Sequence, residues 1–242
     1  MKIVRRYATG PDLADGVARR LHDRIVALQA EFERPVQLCL TGGRIANRIY
    51  QAFTDLIPGS QLDPNRLELW WGDERFVPTE DPERNAGHTL AILAGKLPLA
   101  PGLTHPMPAA DGFLDNAASA AAYAKELGDT VFDLCLLGMG PDGHVAWLFP
   151  NHPSFEDAGH RVIPVNDSPR GEESGISLSL PTLRSSREVW YLVVGADKAD
   201  AVRRSYAGDQ TIPAGAVRGT DRTVWLVDRA AAAGLPYHTC SF

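Results

Sequence analysis

The chain has 242 residues, 44% hydrophobic and 22% charged, the composition of an ordinary globular protein long enough to bury a substantial core without staples. Its net charge of −6, with no clustered Lys or Arg, argues against nucleic acid or an anionic membrane surface as a partner. Three cysteines without a C-x-x-C pair read as reduced thiols of a cytoplasmic protein, and no apolar run approaches the roughly 20 residues of a membrane span.

Along the chain, PDLADGVARRLHDRIVALQAEF (11–32) carries Leu, Ile, Val and Ala at helical spacing. The short apolar run VQLCLT (36–41) precedes GGRIANRIYQAFTDL (42–56), an amphipathic helix. LELWWG (67–72) reads as a strand ending in the loop DERFVPTEDPERN (73–85). AGHTLAILAGKL (86–97) and DNAASAAAYAKEL (115–127) read as helices, with a proline-rich loop between them. FDLCLLG (132–138) is the most apolar strand. GISLSL (175–180) alternates with period two, EVWYLVVG (188–195) is continuously apolar, ADKADAVRRSYAG (196–208) is a helix, and DRTVWLVD (221–228) is the last strand.

Strands apolar on both faces and separated by helices predict an α/β fold over residues 1–242 as one domain. They predict a doubly wound, mostly parallel sheet with helices on both faces. Such sheets bind ligands outside the carboxyl ends of their strands. Four of those ends carry chemistry: Thr41-Gly42-Gly43, Asp73-Glu74-Arg75, the glycine loop ending in His144, and Ala196-Asp197-Lys198. Any one of them is what a loop ordinarily looks like. Together they supply a glycine turn that can bind an anion, two cations and a histidine, a set that suits a phosphorylated substrate.

The glycines Gly138, Gly140 and Gly143 have the G-x-G-x-x-G spacing of a dinucleotide site, but the context is wrong. Pro150 closes the expected helical stretch about two turns after Gly143, where a full crossover helix is required. Asp142 puts a negative charge where a pyrophosphate would sit. The glycines instead let the backbone turn and set Asp142 and His144 at the rim. His144 differs from the other six histidines in following a glycine turn at the end of a buried strand, the place for a general base. No histidine pair or cysteine cluster has metal-ligand spacing, and there is no G-x-S-x-G elbow.

These residues carry a resemblance. FDLCLLGMGPDGHVAWLFPNHP (132–153) resembles the signature of the 6-phosphogluconolactonases. So do LTGG (40–43), WWGDERFVPTEDPERN (70–85), ISLSLPTL (176–183), VWYLVVGADKADAV (189–202) and TVWLVD (223–228), in order and over nearly the whole chain. The resemblance implies hydrolysis of 6-phospho-D-glucono-1,5-lactone in the oxidative pentose phosphate pathway, by a monomer needing no metal or organic cofactor. It implies His144 as general base with Asp142 beside it, and glycine-loop amides, those of Gly140 and Gly143, facing the oxyanion. Arg75 and Lys198 would hold the phosphate with the Thr41-Gly42-Gly43 turn, with Asp73 and Asn85 also on the substrate.

Two positions depart from the family pattern. Many members read Gly-Gly-Ser-Thr-Pro where this chain has Gly42-Gly43-Arg44-Ile45-Ala46, and many carry an arginine where it has Gly175. Arg44 and Arg170 are the candidates to compensate, with Arg170 preferred because a loop can reorient. The sister glucosamine-6-phosphate deaminases typically run to Phe-Asn-Glu-Pro after the histidine, where this chain reads VAWLFPNHP. Sugar-phosphate-sensing domains carry a helix-turn-helix segment upstream, for which the expected first strand and helix leave no room. A deaminase and a non-catalytic sugar-phosphate binder are the alternatives.

Overall fold

The computed structural model describes residues 1–169, 171 and 174–236. The chain runs β1 (Lys2–Tyr7), α1 (Gly10–Glu31), β2 (Val36–Leu40), α2 (Arg44–Thr54), β3 (Leu67–Trp71), β4 (Asp73–Arg75), α3 (Asn85–Leu93), β5 (Thr104–His105) and α4 (Asn116–Leu127). It continues β6 (Leu134–Leu137), α5 (Pro153–Glu156), β7 (Val162–Val165), β8 (Gly175–Leu178), α6 (Leu180–Arg184), β9 (Glu188–Val193), α7 (Ala199–Ala207), α8 (Pro213–Ala216) and β10 (Arg222–Asp228). Among the described residues no helix is long and apolar enough to cross a membrane.

The continuously apolar runs become the middle of a seven-stranded parallel sheet, ordered β1-β10-β9-β6-β2-β3-β5. Every residue of β6 and β9 is buried, as expected for strands covered on both faces. The helices form where the apolar spacing requires them. In α1, Leu13, Val17, Leu21, Ile25 and Leu28 form the buried stripe, and the Thr9 hydroxyl caps its start by accepting from Asp12 N at 3.3 Å.

This order places a topological switch. From β2 the chain goes outward through β3 to β5, then returns to the other side of β2 as β6 and continues through β9 to β10, which pairs with the first strand, β1, at the sheet edge. The crevice between the carboxyl ends of β2 and β6 is where a doubly wound sheet binds its ligand.

Three local expectations change. Asp73–Arg75 is a strand, not a loop, and joins a small antiparallel sheet ordered β4-β8-β7. GISLSL alternates in sequence, yet all four residues of β8 are buried. The helical stretch expected after Gly143 is absent. The chain makes turns there, with Val145 bridged to Leu148 and Ala146 at φ 49°. A helix cannot pass through that conformation. Trp147, Leu148 and Phe149, each no more than 1% exposed, anchor the loop in the core.

Candidate active site

A cavity of about 680 Å³ opens at the switch point, lined by the segments that follow β2, β3, β6 and β9. From the end of β2 come Thr41, Gly42, Gly43 and Arg44. The Tyr50 hydroxyl, on α2, fixes Thr41 twice, accepting from its N–H at 3.1 Å and donating to its carbonyl at 2.9 Å. The turn leads into α2, whose first N–H groups have no intrahelical acceptor and so favour an anion. Arg44 is the first residue of α2 and is exposed. Among the described residues it makes no ion pair.

From the next strand end come Asp73 and Arg75, with Asn85 at the start of α3. Asn85 Nδ2 donates to the Asp73 carbonyl at 3.1 Å. Arg75 pairs with Glu83. Beyond β9, Lys198 also lines the cavity, 3.2 Å from Asp197 Oδ2. Glu83, Asp197, His88 and Trp147 line the cavity as well, and sequence reasoning misses them as site residues. Only Asp197 carries a local signal, being next to Lys198. His88 Nε2 is 2.7 Å from the Pro82 carbonyl.

The end of β6 supplies His144. Its side chain is 13% exposed, and Nδ1 lies 2.6 Å from Asp142 Oδ1. The Asp142 carboxyl also accepts from the His144 amide at 3.2 Å. Burial pushes that carboxyl up, but the His144 charge and the bonds from its amide and ring outweigh it and hold Asp142 below the ordinary carboxylate range. An ionised acceptor fixes the ring proton on Nδ1 and puts the basic lone pair on Nε2. The Phe149 ring, with its centroid 5.1 Å away, packs against the imidazole.

Gly140 is what lets the ring sit there. A Cβ at this position would lie 2.0 Å from both Cε1 and Nδ1 of His144. Neither Gly140 nor Gly143 lines the cavity. The Gly140 amide donates to the His144 carbonyl and the Gly143 amide to the Gly140 carbonyl, both at 3.0 Å. With those N–H groups engaged in the loop's own bonds, they are not available to an oxyanion. Arg170 lies outside the described residues. His152 caps α5, its Nδ1 accepting from Ser154 N at 3.1 Å, and does not line the cavity. Among the described residues no group of three or more His, Cys, Asp or Glu is placed to hold a metal ion.

Residues 8–225 match the family of glucosamine-6-phosphate isomerases/6-phosphogluconolactonase. The chain belongs to this family. It is 44% identical over 238 residues to the 6-phosphogluconolactonase of Streptomyces coelicolor, covering 93% of this chain and 91% of the relative. With the 6-phosphogluconolactonase of Mycobacterium leprae it shares 36% identity over 242 residues, covering 95% and 97%. Its fold resembles the crystal structure of the 6-phosphogluconolactonase of Thermotoga maritima with a TM-score of 0.84, at 24% identity and over 95% of this chain and 100% of that one. A Cβ at Gly175 would lie 2.5 Å from Trp147 Cδ2, so the indole occupies the space a side chain at 175 would need.

Proposed function

We propose that this chain hydrolyses 6-phospho-D-glucono-1,5-lactone to 6-phospho-D-gluconate in the oxidative pentose phosphate pathway. The observation that carries the reading is one cavity lined by His144, Arg44, Arg75 and Lys198, with the His144 ring polarised by Asp142. A phosphate dianion on a chain of net charge −6 needs local cations, and the two arginines and the lysine supply them beside the anion-binding turn at the head of α2. The protein acts as a cytoplasmic monomer, one domain over its whole length, with no cofactor.

His144 Nε2 takes a proton from a water whose oxygen attacks the lactone carbonyl carbon. The π pair of the carbonyl moves onto oxygen, giving a tetrahedral oxyanion. Asp142 stabilises the imidazolium formed at the same moment. When the intermediate collapses, the bond from the carbonyl carbon to the ring oxygen breaks and imidazolium returns its proton to that oxygen. The carboxylic acid product then ionises in solution.

The test is proton release from freshly made phosphorylated lactone, corrected for spontaneous opening. Catalysed release supports the reading. Ammonia release from glucosamine 6-phosphate would assign the deaminase chemistry instead. Binding of a sugar phosphate without rate acceleration would leave a non-catalytic binder.

A further inference from the structure

Asp73 and Arg75 line the cavity, but Glu74, between them on β4, does not. Its side chain is fully buried and faces the start of α3. Oε1 accepts from the amides of Arg75 at 2.9 Å and Asn85 at 2.8 Å, and Oε2 accepts from the Ala86 amide at 2.8 Å. Arg84 Nη2, at 3.9 Å from Oε2, also donates to the Met107 carbonyl at 2.8 Å. Burial pushes the Glu74 carboxyl up, and these donors and Arg84 oppose the shift. A buried carboxylate is costly unless its charge is matched. Here it is matched by the positive end of α3 and by amides from both sides of the join.

The bonds lead to the cavity. Asn85, whose amide Glu74 holds, donates to the Asp73 carbonyl, and its Oδ1 packs against the bare Cα of Gly42. One buried carboxylate therefore ties together β4, the head of α3 and the turn after β2. The His144–Asp142 pair sits on a different strand end and shares none of these bonds.

We propose that Glu74 is a positioning residue for the phosphate end of the substrate, acting through Arg75, Asn85 and the Gly42 turn. The proposal rests on the lactonase reading of the cavity. Glu74→Gln is the variant, because an amide offers one acceptor oxygen and points N–H at an N–H. The expected result is a folded enzyme whose KM for the phosphorylated lactone rises about 10-fold or more while kcat stays within about threefold. Inorganic phosphate, titrated by calorimetry, weakens by a similar factor. A role in stability alone predicts a lower Tm with KM and phosphate affinity unchanged, and that result overturns the proposal. So does a fall in kcat with KM unchanged. If Glu74→Gln does not fold, Arg84→Met, which keeps the three amide bonds and removes the nearby cation, carries the test. A KM raised about threefold or more supports the proposal, and an unchanged KM overturns it. If the wild-type chain turns over no lactone, the phosphate titration still tests Glu74, so the two failures are distinct.

Discussion

At the amino ends of the strands, two buried carboxylates are closed over by arginines, whereas at the carboxyl ends the cations stand around an open cavity. Arg34 reaches both oxygens of Asp133 at 2.7 Å, and Arg187 lies 3.6 Å away. Glu188 takes Arg24 at 2.8 Å, Arg222 at 3.2 Å and the Trp190 indole N–H at 2.9 Å. Asp133 and Glu188 are at most 1% exposed, so these pairs are fixed parts of the fold. At the other end, Glu83 beside Arg75 is 62% exposed and Asp197 beside Lys198 is 60% exposed. Exposed pairs of this kind are worth little, and a phosphate dianion can displace such a carboxylate. The same residue types thus build a rivet at one end and a receptor at the other. Burial of the carboxylate decides which.

The largest effect that would break this contrast lies at the carboxyl end. His144→Ala should lower kcat by about 10²–10⁴, the usual worth of a general base, with the far-UV spectrum and Tm nearly unchanged. Activity within a few-fold of wild type would remove His144 from the mechanism. At the amino end, Asp133→Ala should cost about 3 kcal/mol in denaturant unfolding, since it removes the acceptor of the Gln37 amide and of the Arg34 guanidinium. Its kcat/KM should not move, and a kinetic defect would mean the two ends are coupled.

Gly140→Ala comes next. Its methyl group must push the His144 ring aside, and a displacement of about 1 Å costs about 10²-fold in kcat with KM little changed. Arg75→Ala should lower kcat/KM on the phosphorylated lactone by about 1.5–3 kcal/mol and leave plain gluconolactone unaffected. Equal losses on both lactones would take Arg75 off the phosphate. Arg44→Ala in the same pair of assays tests the exposed cation at the head of α2.

The smallest effect is in pH dependence. Asp142 titrates below its ordinary range in the folded chain, so its contribution to stability is present above about pH 3.9 and is lost as pH falls through the lower native value. Tm measured from pH 5 downward should therefore fall more steeply for wild type than for Asp142→Asn. Parallel curves would show that the pair adds nothing to stability.

How far the sequence carries this picture differs between the two sheets. The strands of the parallel sheet that build the switch point, β2 and β6, are short runs of mostly apolar residues in the middle of the sheet. Their polar ends are legible because a buried strand that stops in glycines and charges must leave the core there, at the rim of the sheet. The small antiparallel sheet has no such signature. Asp73–Arg75 and Val162–Val165 are three and four residues long and acquire strand form only by pairing with Gly175–Leu178, far away in the chain. GISLSL reads as half-exposed, yet it is buried between α4 and the loop carrying Trp147. The fit of Trp147 over Gly175 joins two positions with no periodic relation, so nothing local signals it. Glu83 is hidden for the same reason, and the loop at Ala146 turns at a residue type that rarely adopts that conformation.

The most direct measurement is a crystal structure with 6-phosphogluconate bound. Its phosphate should lie within hydrogen-bonding distance of Arg75, Lys198 and the Gly42-Gly43 turn, and its carboxylate beside His144. A product bound in the opposite direction, with phosphate against His144 and carboxylate among the cations, would contradict the lactonase mechanism, and so would binding at the amino ends of the strands.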